Sequence, residues 1–125
     1  MNCHCGSGSS YQDCCGRFLS GEQWPETAEA LMRARYSAYV EGEDGFLIDS
    51  WHPLSCPSQF ESNLNQQWLG LKILAVNQGR PGDGSGSVEF VATFKVSGKV
   101  ETLHEVSEFV REQGRWCYLS GILKQ

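Results

Sequence analysis

The chain lacks several things, and each lack removes a class of protein. No run of 18 apolar residues occurs in its 125, which excludes a membrane-spanning helix. The opening Met1-Asn2-Cys3-His4-Cys5 has no basic stretch followed by an apolar one, so no secretory leader is expected and the cytoplasm is the default compartment. Positive charge is scarce: ten Lys and Arg stand against fifteen Asp and Glu, for a net charge of −5. A nucleic-acid backbone is therefore a poor partner, because binding it runs on phosphate neutralisation. Cys-x-x-Cys, the usual redox dithiol, is also missing, although six cysteines are present. A hydrophobic fraction of 40% is by contrast enough for a packed core, in one domain of ordinary size or a small domain with a mini-domain attached.

The cysteines are unevenly placed. Cys3, Cys5, Cys14 and Cys15 fall in the first fifteen residues, while Cys56 and Cys117 stand alone and read as ordinary residues. In the segment from Met1 to about Gly21, Gly6-Ser7-Gly8 makes a tight turn. Ser10 followed by Asp13 reads as a capping box that opens a short helix through Cys14, Cys15, Phe18 and Leu19. So short a piece cannot bury enough apolar surface to fold without a staple. A disulfide between Cys14 and Cys15 is strained, since adjacent Cα atoms are only about 3.8 Å apart. Long-range disulfides need an oxidising compartment. A metal ion is the better staple. Zinc takes four thiolates at about 2.3 Å in a closed structural site, a helix start favours negative sulfurs, and such sites supply roughly 10–16 kcal/mol of folding energy in small peptides. Four thiolates suit iron as well. His4 is an alternative ligand, though its place between two cysteines points it outward.

The segment Cys3-His4-Cys5-Gly6-Ser7-Gly8-Ser9-Ser10-Tyr11-Gln12-Asp13-Cys14-Cys15-Gly16 resembles the SEC-C motif, the zinc-binding tail also found at the C-terminus of the SecA translocation ATPase. The resemblance implies one Zn(2+) per chain on Cys3, Cys5, Cys14 and Cys15. That motif is often lysine-rich around its tyrosine. Here Ser9, Ser10, Gln12 and Asp13 are uncharged or acidic, so contacts to ribosomes or acidic lipids are not carried over.

The rest of the chain changes period half-way. From Pro25 to Val40 the residues Ala28, Leu31, Met32, Tyr36, Tyr39 and Val40 recur at three- and four-residue steps, which predicts an amphipathic helix closed near Gly42. Arg33 and Arg35 flank that stripe, and Glu29 at i−4 of Arg33 predicts a surface ion pair. A shorter helix is expected over Asp44–Trp51, and Ser58–Gln67 is ambiguous, with a helical turn or two among its options. Trp68–Asn77, Ser87–Val96, Lys99–Arg111 and Arg115–Leu123 read as four strands. Gly79–Gly86 reads as a flexible loop, and Ser97-Gly98 and Gln113-Gly114 as hairpin turns. Helices first and an antiparallel meander second is an α+β order.

Ala30 to Val40, Trp51-His52-Pro53, Trp68-Leu69-Gly70-Leu71, Val88 to Ala92 and Leu103-His104-Glu105 are similar to the YchJ family, in which a SEC-C motif precedes a domain like nuclear transport factor 2. The resemblance implies a cone of helices against a bent antiparallel sheet, with residues 1–22 as the zinc knuckle and 25–125 as the cone. It implies no particular reaction. The leading expectation is a small zinc protein that works as a protein-interaction or adaptor module, its unidentified partner bound through the knuckle. The alternative is a small-ligand-binding protein or acid/base enzyme that uses the cone's cavity. Candidates to line it are Tyr36, Tyr39, Asp49, Trp51, His52 and His104, with Glu105 beside them. A histidine next to a carboxylate suits a general base and a tyrosine an oxyanion donor. Against this, Tyr36 and Tyr39 also suit core aromatics, and His52 before a proline suits a helix cap. His104 and Glu105 are strand neighbours, so at most one faces an interior. Fold analogy alone does not imply catalysis.

Overall fold

Among the described residues three helices come first and four strands after them, in the order in which the sequence changes period. The computed structural model describes residues 2–61 and 65–124. In chain order α1 is Gly16–Leu19, α2 Ala28–Glu41, α3 Asp44–Asp49, β1 Gln66–Gln78, β2 Ser85–Val96, β3 Lys99–Glu112 and β4 Arg115–Leu123. No helix among them is long and apolar enough to cross a membrane.

Local chemistry explains where the helices depart from expectation. The Ser10 hydroxyl accepts from the Asp13 N–H at 3.3 Å, yet no helix follows at once. Tyr11 O instead accepts from both Cys14 N–H (3.1 Å) and Gly16 N–H (2.8 Å), a wider turn than an α-helical bond makes. A Cβ on Gly16 would press on Tyr11, so glycine lets that turn close. α1 is then a single turn, too short for a dipole to favour the sulfurs. α2 starts at Ala28, three residues after Pro25, because the Thr27 hydroxyl accepts from Ala30 N–H at 3.0 Å. Gly42, left-handed at φ 73°, ends it. α3 stops at Asp49: the Ser50 hydroxyl turns back to Phe46 O at 2.8 Å, and Trp51 leaves to bridge Tyr118 in parallel. In the ambiguous stretch, 58–61 carry no helix, Gln66 and Gln67 already belong to β1, and 62–64 lie outside the described residues.

The sheet is a meander in the order β1-β2-β3-β4, antiparallel throughout. Ser97-Gly98 (φ 52° and 78°) and Gln113-Gly114 (φ 53° and 85°) are positive at both positions, the backbone that a two-residue hairpin turn requires. Two register shifts in β1, around Leu69 and Leu74, bend that strand and turn both leucines out to solvent. Val88, Phe90 and Ala92 of β2, Phe109 of β3 and Trp116 of β4 form the sheet's share of the core, facing Leu31 of α2 and Leu47 of α3. α2 is buried on more than the one stripe its pattern suggests, from Ala34 to Ala38 without a break. The knuckle covers what the sheet does not, bringing Cys3 Sγ to 3.6 Å from Ser37 Oγ.

Two connections are tied down tightly. Residues 79–86, read from sequence as a flexible loop, are clamped: Arg111 donates to Asp83 O (2.7 Å) and Pro81 O, while Gly79 O accepts from Ala28 N–H at 2.9 Å. Between knuckle and cone, Trp24 Nε1 donates to Trp116 O at 3.0 Å and Trp116 Nε1 donates to Glu26 O at 2.9 Å. These reciprocal bonds hold the linker against β4.

Candidate functional site

The four N-terminal cysteines converge. Their Sγ atoms all lie within 4.8 Å of one another, with Cys5 to Cys14 at 3.6 Å and Cys14 to Cys15 at 4.0 Å. These are not disulfide distances, which are about 2.05 Å, and all four cysteines are free. They match the edge, roughly 3.8 Å, of a tetrahedron of sulfurs about 2.3 Å from a central ion. The donor chemistry agrees. The Cys15 thiol and Ser7 hold Cys5 as a thiolate, lowered to about 4, whereas burial pushes Cys14 up, and the hydrogen bond to Cys5 together with burial pushes Cys15 up. One negative sulfur thus opposes the next, and a cation at the centre removes that opposition. His4 stands outside the set, its Nε2 2.6 Å from Glu41 Oε2 on α2. Arg33 keeps its bond to Glu29 (2.9 Å) but also donates to Cys5 O at 2.7 Å, fastening the cysteine turn to α2.

A second feature lies inside the cone. A cavity of about 270 Å³ is walled by Tyr36, Tyr39, Trp51, Trp68, Phe90 and Tyr118, with Met32, Ala92 and Leu103 completing the apolar lining. Trp68 meets the rings of Tyr36 and Tyr39 at 5.7 and 5.6 Å, and Trp51 meets Tyr118 edge-on at 5.4 Å. Arg35, Gln66, Glu105 and Ser107 are its polar members. Burial pushes the phenols of Tyr36 and Tyr118 up to about 12, and that of Tyr39 up as well, so all three remain neutral donors at physiological pH. No imidazole or thiol lines the cavity among the described residues. Among the described residues Glu105 is its one carboxylate, receiving the Ser107 hydroxyl at 2.6 Å.

A family model described as YchJ, middle NTF2-like domain, matches residues 27–121. The chain belongs to the YchJ family. A UPF0225 protein of Chromobacterium violaceum is 44% identical over 125 residues, covering 97% of this chain and 92% of that one, and another of Cupriavidus metallidurans is 46% identical, covering 98% and 89%. Among solved structures, a SEC-C motif containing protein from Rhodopseudomonas palustris superposes with a TM-score of 0.87 at 32% identity over the whole of both chains. A SEC-C motif containing protein from Psychrobacter arcticus gives 0.78 at 25% identity, covering 98% of this chain and 82% of that one. The YchJ fold therefore carries, here, a SEC-C cysteine cluster fit for a metal ion beside an NTF2-like domain.

Within this YchJ domain the candidate cavity residues separate. Tyr36, Tyr39 and Trp51 line the cavity. Asp49, His52 and His104 do not. Asp49 is exposed and pairs with Arg115 at 2.9 Å. His52 has its Nε2 3.0 Å from Glu112, and His104 is 2.7 Å from Glu89. The reason for His104 is parity: the β2–β3 register sets it opposite Val91, while Glu105 lies opposite the buried Phe90 and points inward with Leu103, Ser107 and Phe109. Arg35 is the larger correction. Read as a residue flanking the apolar stripe, it is only 4% exposed and lines the cavity. The spacing Leu31, Arg35, Ala38 held the clue, because those positions share one helical face with the core.

Proposed function

We propose that this protein is a small-ligand-binding protein whose cone holds the ligand and whose SEC-C knuckle is a structural zinc staple. In this reading residues 1–22 are the knuckle and residues 25–125 the binding domain. The observation that carries it is the aromatic-walled cavity of about 270 Å³ with three neutral tyrosines and two charged side chains in its lining. Ligand pockets are mostly apolar with a few placed polar groups, at volumes of about 300–1,000 Å³, so this one, just below that range, suits a molecule smaller than a typical drug-sized ligand. Binding is favoured over catalysis because the wall offers Glu105 as its single candidate base and no imidazole or thiol among the described residues. The adaptor reading has less support. Residues 6–9, the exposed turn of the knuckle, are glycine and serine only, without the aromatic or arginine anchors that dominate protein interfaces.

Two measurements test the proposal. Protein prepared in zinc-replete medium is expected to hold one zinc per chain, and well under one would sink the staple. Ligand-observed NMR with single-ring aromatic compounds is expected to show binding that disappears in Ala92→Phe, which puts a ring into the cavity from its wall. Binding that survives Ala92→Phe, or no binding at all, would overturn the cavity reading.

A further inference from the structure

Resting on that reading of the cavity, the geometry points to the class of molecule it takes: we propose that the cone binds a small aromatic carboxylic acid, its carboxylate on Arg35 and a hydrogen-bond donor at its far end on Glu105. The argument starts from the arginine. Its guanidinium is buried, and its bonds to the end of α3 and to the residue just after it both leave from Nη1, to Leu47 O at 2.8 Å and Ser50 Oγ at 2.7 Å. Nε and Nη2 are not committed to that helix, although the Tyr39 hydroxyl in the cavity wall also interacts with the guanidinium. No ion pair joins Arg35 to a carboxylate within 4 Å among the described residues. A buried charge is costly unless it is paired. Stacking on Trp51 (5.0 Å) and Tyr118 (4.6 Å) offsets part of that cost. A planar fork of N–H donors is the shape that receives a carboxylate in bidentate fashion.

The opposite charge is in the same cavity but held away. Glu105 is fixed by the Ser107 hydroxyl at 2.6 Å. Its carboxylate occupies the place where a side chain on Gly121 would stand, beside the Tyr118 hydroxyl. Glycine at 121 therefore gives Glu105 its seat. Two unlike charges that share a small cavity without closing on each other define a ligand with an acceptor at one end and a donor at the other. The flat rings of Tyr39, Trp51 and Trp68 line the same cavity and suit a planar body.

The test uses the full, metal-loaded chain and three probes: benzoate, its neutral isostere benzamide, and 4-hydroxybenzoate. Trp51 and Trp68 line the cavity, so tryptophan fluorescence reports occupancy alongside NMR. Benzoate is expected to bind at least tenfold more tightly than benzamide, and 4-hydroxybenzoate more tightly than benzoate. Arg35→Gln should remove the preference for benzoate over benzamide, and Glu105→Gln the preference for 4-hydroxybenzoate over benzoate. If Arg35→Gln fails to fold, the probe pair on the unaltered protein decides alone. Equal or tighter binding of benzamide overturns the carboxylate assignment while leaving the cavity reading intact. No binding of any probe overturns both.

Discussion

Replacing Cys14 by serine should unfasten the knuckle and leave the cone folded but weakened. Cys14 is the half-buried member of the cluster, so the change removes a metal ligand with little direct damage to the core. Once residues 2–19 come loose, the cone loses the burial of Phe18, 5% exposed, and the bond from Arg33 to Cys5 O at 2.7 Å. A fully buried phenylalanine contributes about 1.5–3 kcal/mol, and a hydrogen bond from a charged group about 1.5–3 kcal/mol. The exposed His4–Glu41 pair adds about 0–1 kcal/mol. The loss is therefore roughly 3–7 kcal/mol, a large share of the 5–15 kcal/mol typical of a whole domain. At roughly 3–5 °C per kcal/mol for a chain of this length, melting should fall by about 9–35 °C. Hydrogen exchange locates the change. The amides of Cys3, bonded to Ser9 O at 2.7 Å, and Gly16, bonded to Tyr11 O at 2.8 Å, should lose protection while those of Val88 and Phe109 keep it. A metal-free variant that still protects Cys3 and Gly16 and melts within about 2 °C of the parent would refute the stapling argument.

Other perturbations follow from the same contacts. Gly86→Ala would set a Cβ 2.5 Å from the backbone of Gly79 and should cost about 1–3 kcal/mol or more, read from the urea midpoint. Gly84→Ala, with open space around it, is the control and should stay within about 0.5 kcal/mol. Trp116→Phe removes the donor to Glu26 O and should lower stability by about 1–3 kcal/mol in a thermal melt, with the metal content unchanged. Tyr36 and Tyr118 have folded pKa values of about 12 against about 10 unfolded. The fold favours the neutral phenol, so this contribution is whole below pH 10 and is lost as pH rises through 12. Stability should fall by at most about 1.4 kcal/mol per pH unit for the buried Tyr36, and phenolate absorbance should show late titration. Phenolate that forms at pH 10 in the folded protein would contradict this.

Much of the architecture was legible because it is governed by local rules. Ser97-Gly98 and Gln113-Gly114 announce hairpins through residue type and spacing, and the alternation from Val88 to Val96 announces the strand between them. The four cysteines are legible for the same reason: the turn that gathers them is made by their own neighbours. The cavity is different, since its polar residues come from three elements far apart in the chain. Arg35 sits on a helix where an arginine ordinarily faces water. Its enclosure depends on α3 turning its Leu47 carbonyl back and on Tyr118, 83 residues further on, closing the other side. His104 and Glu105 differ by one step in a strand, and which of them faces inward is decided by pairing with β2, not by either residue's chemistry. Asp49 and His52 lie next to the cavity in sequence only.

The reciprocal tryptophan bonds between the linker and β4 also order events in time. Trp116 Nε1 and Glu26 O are 90 residues apart, and ribosomes add roughly 5–20 residues per second. The cone therefore stays open for about 5–20 s after the linker has been made, with the buried faces of α2 exposed until the last strand is synthesised. The knuckle has no such wait, because its turns close over steps of three to six residues. Metal capture can thus precede the cone, and a cell short of metal would be felt by the nascent chain before its sheet exists.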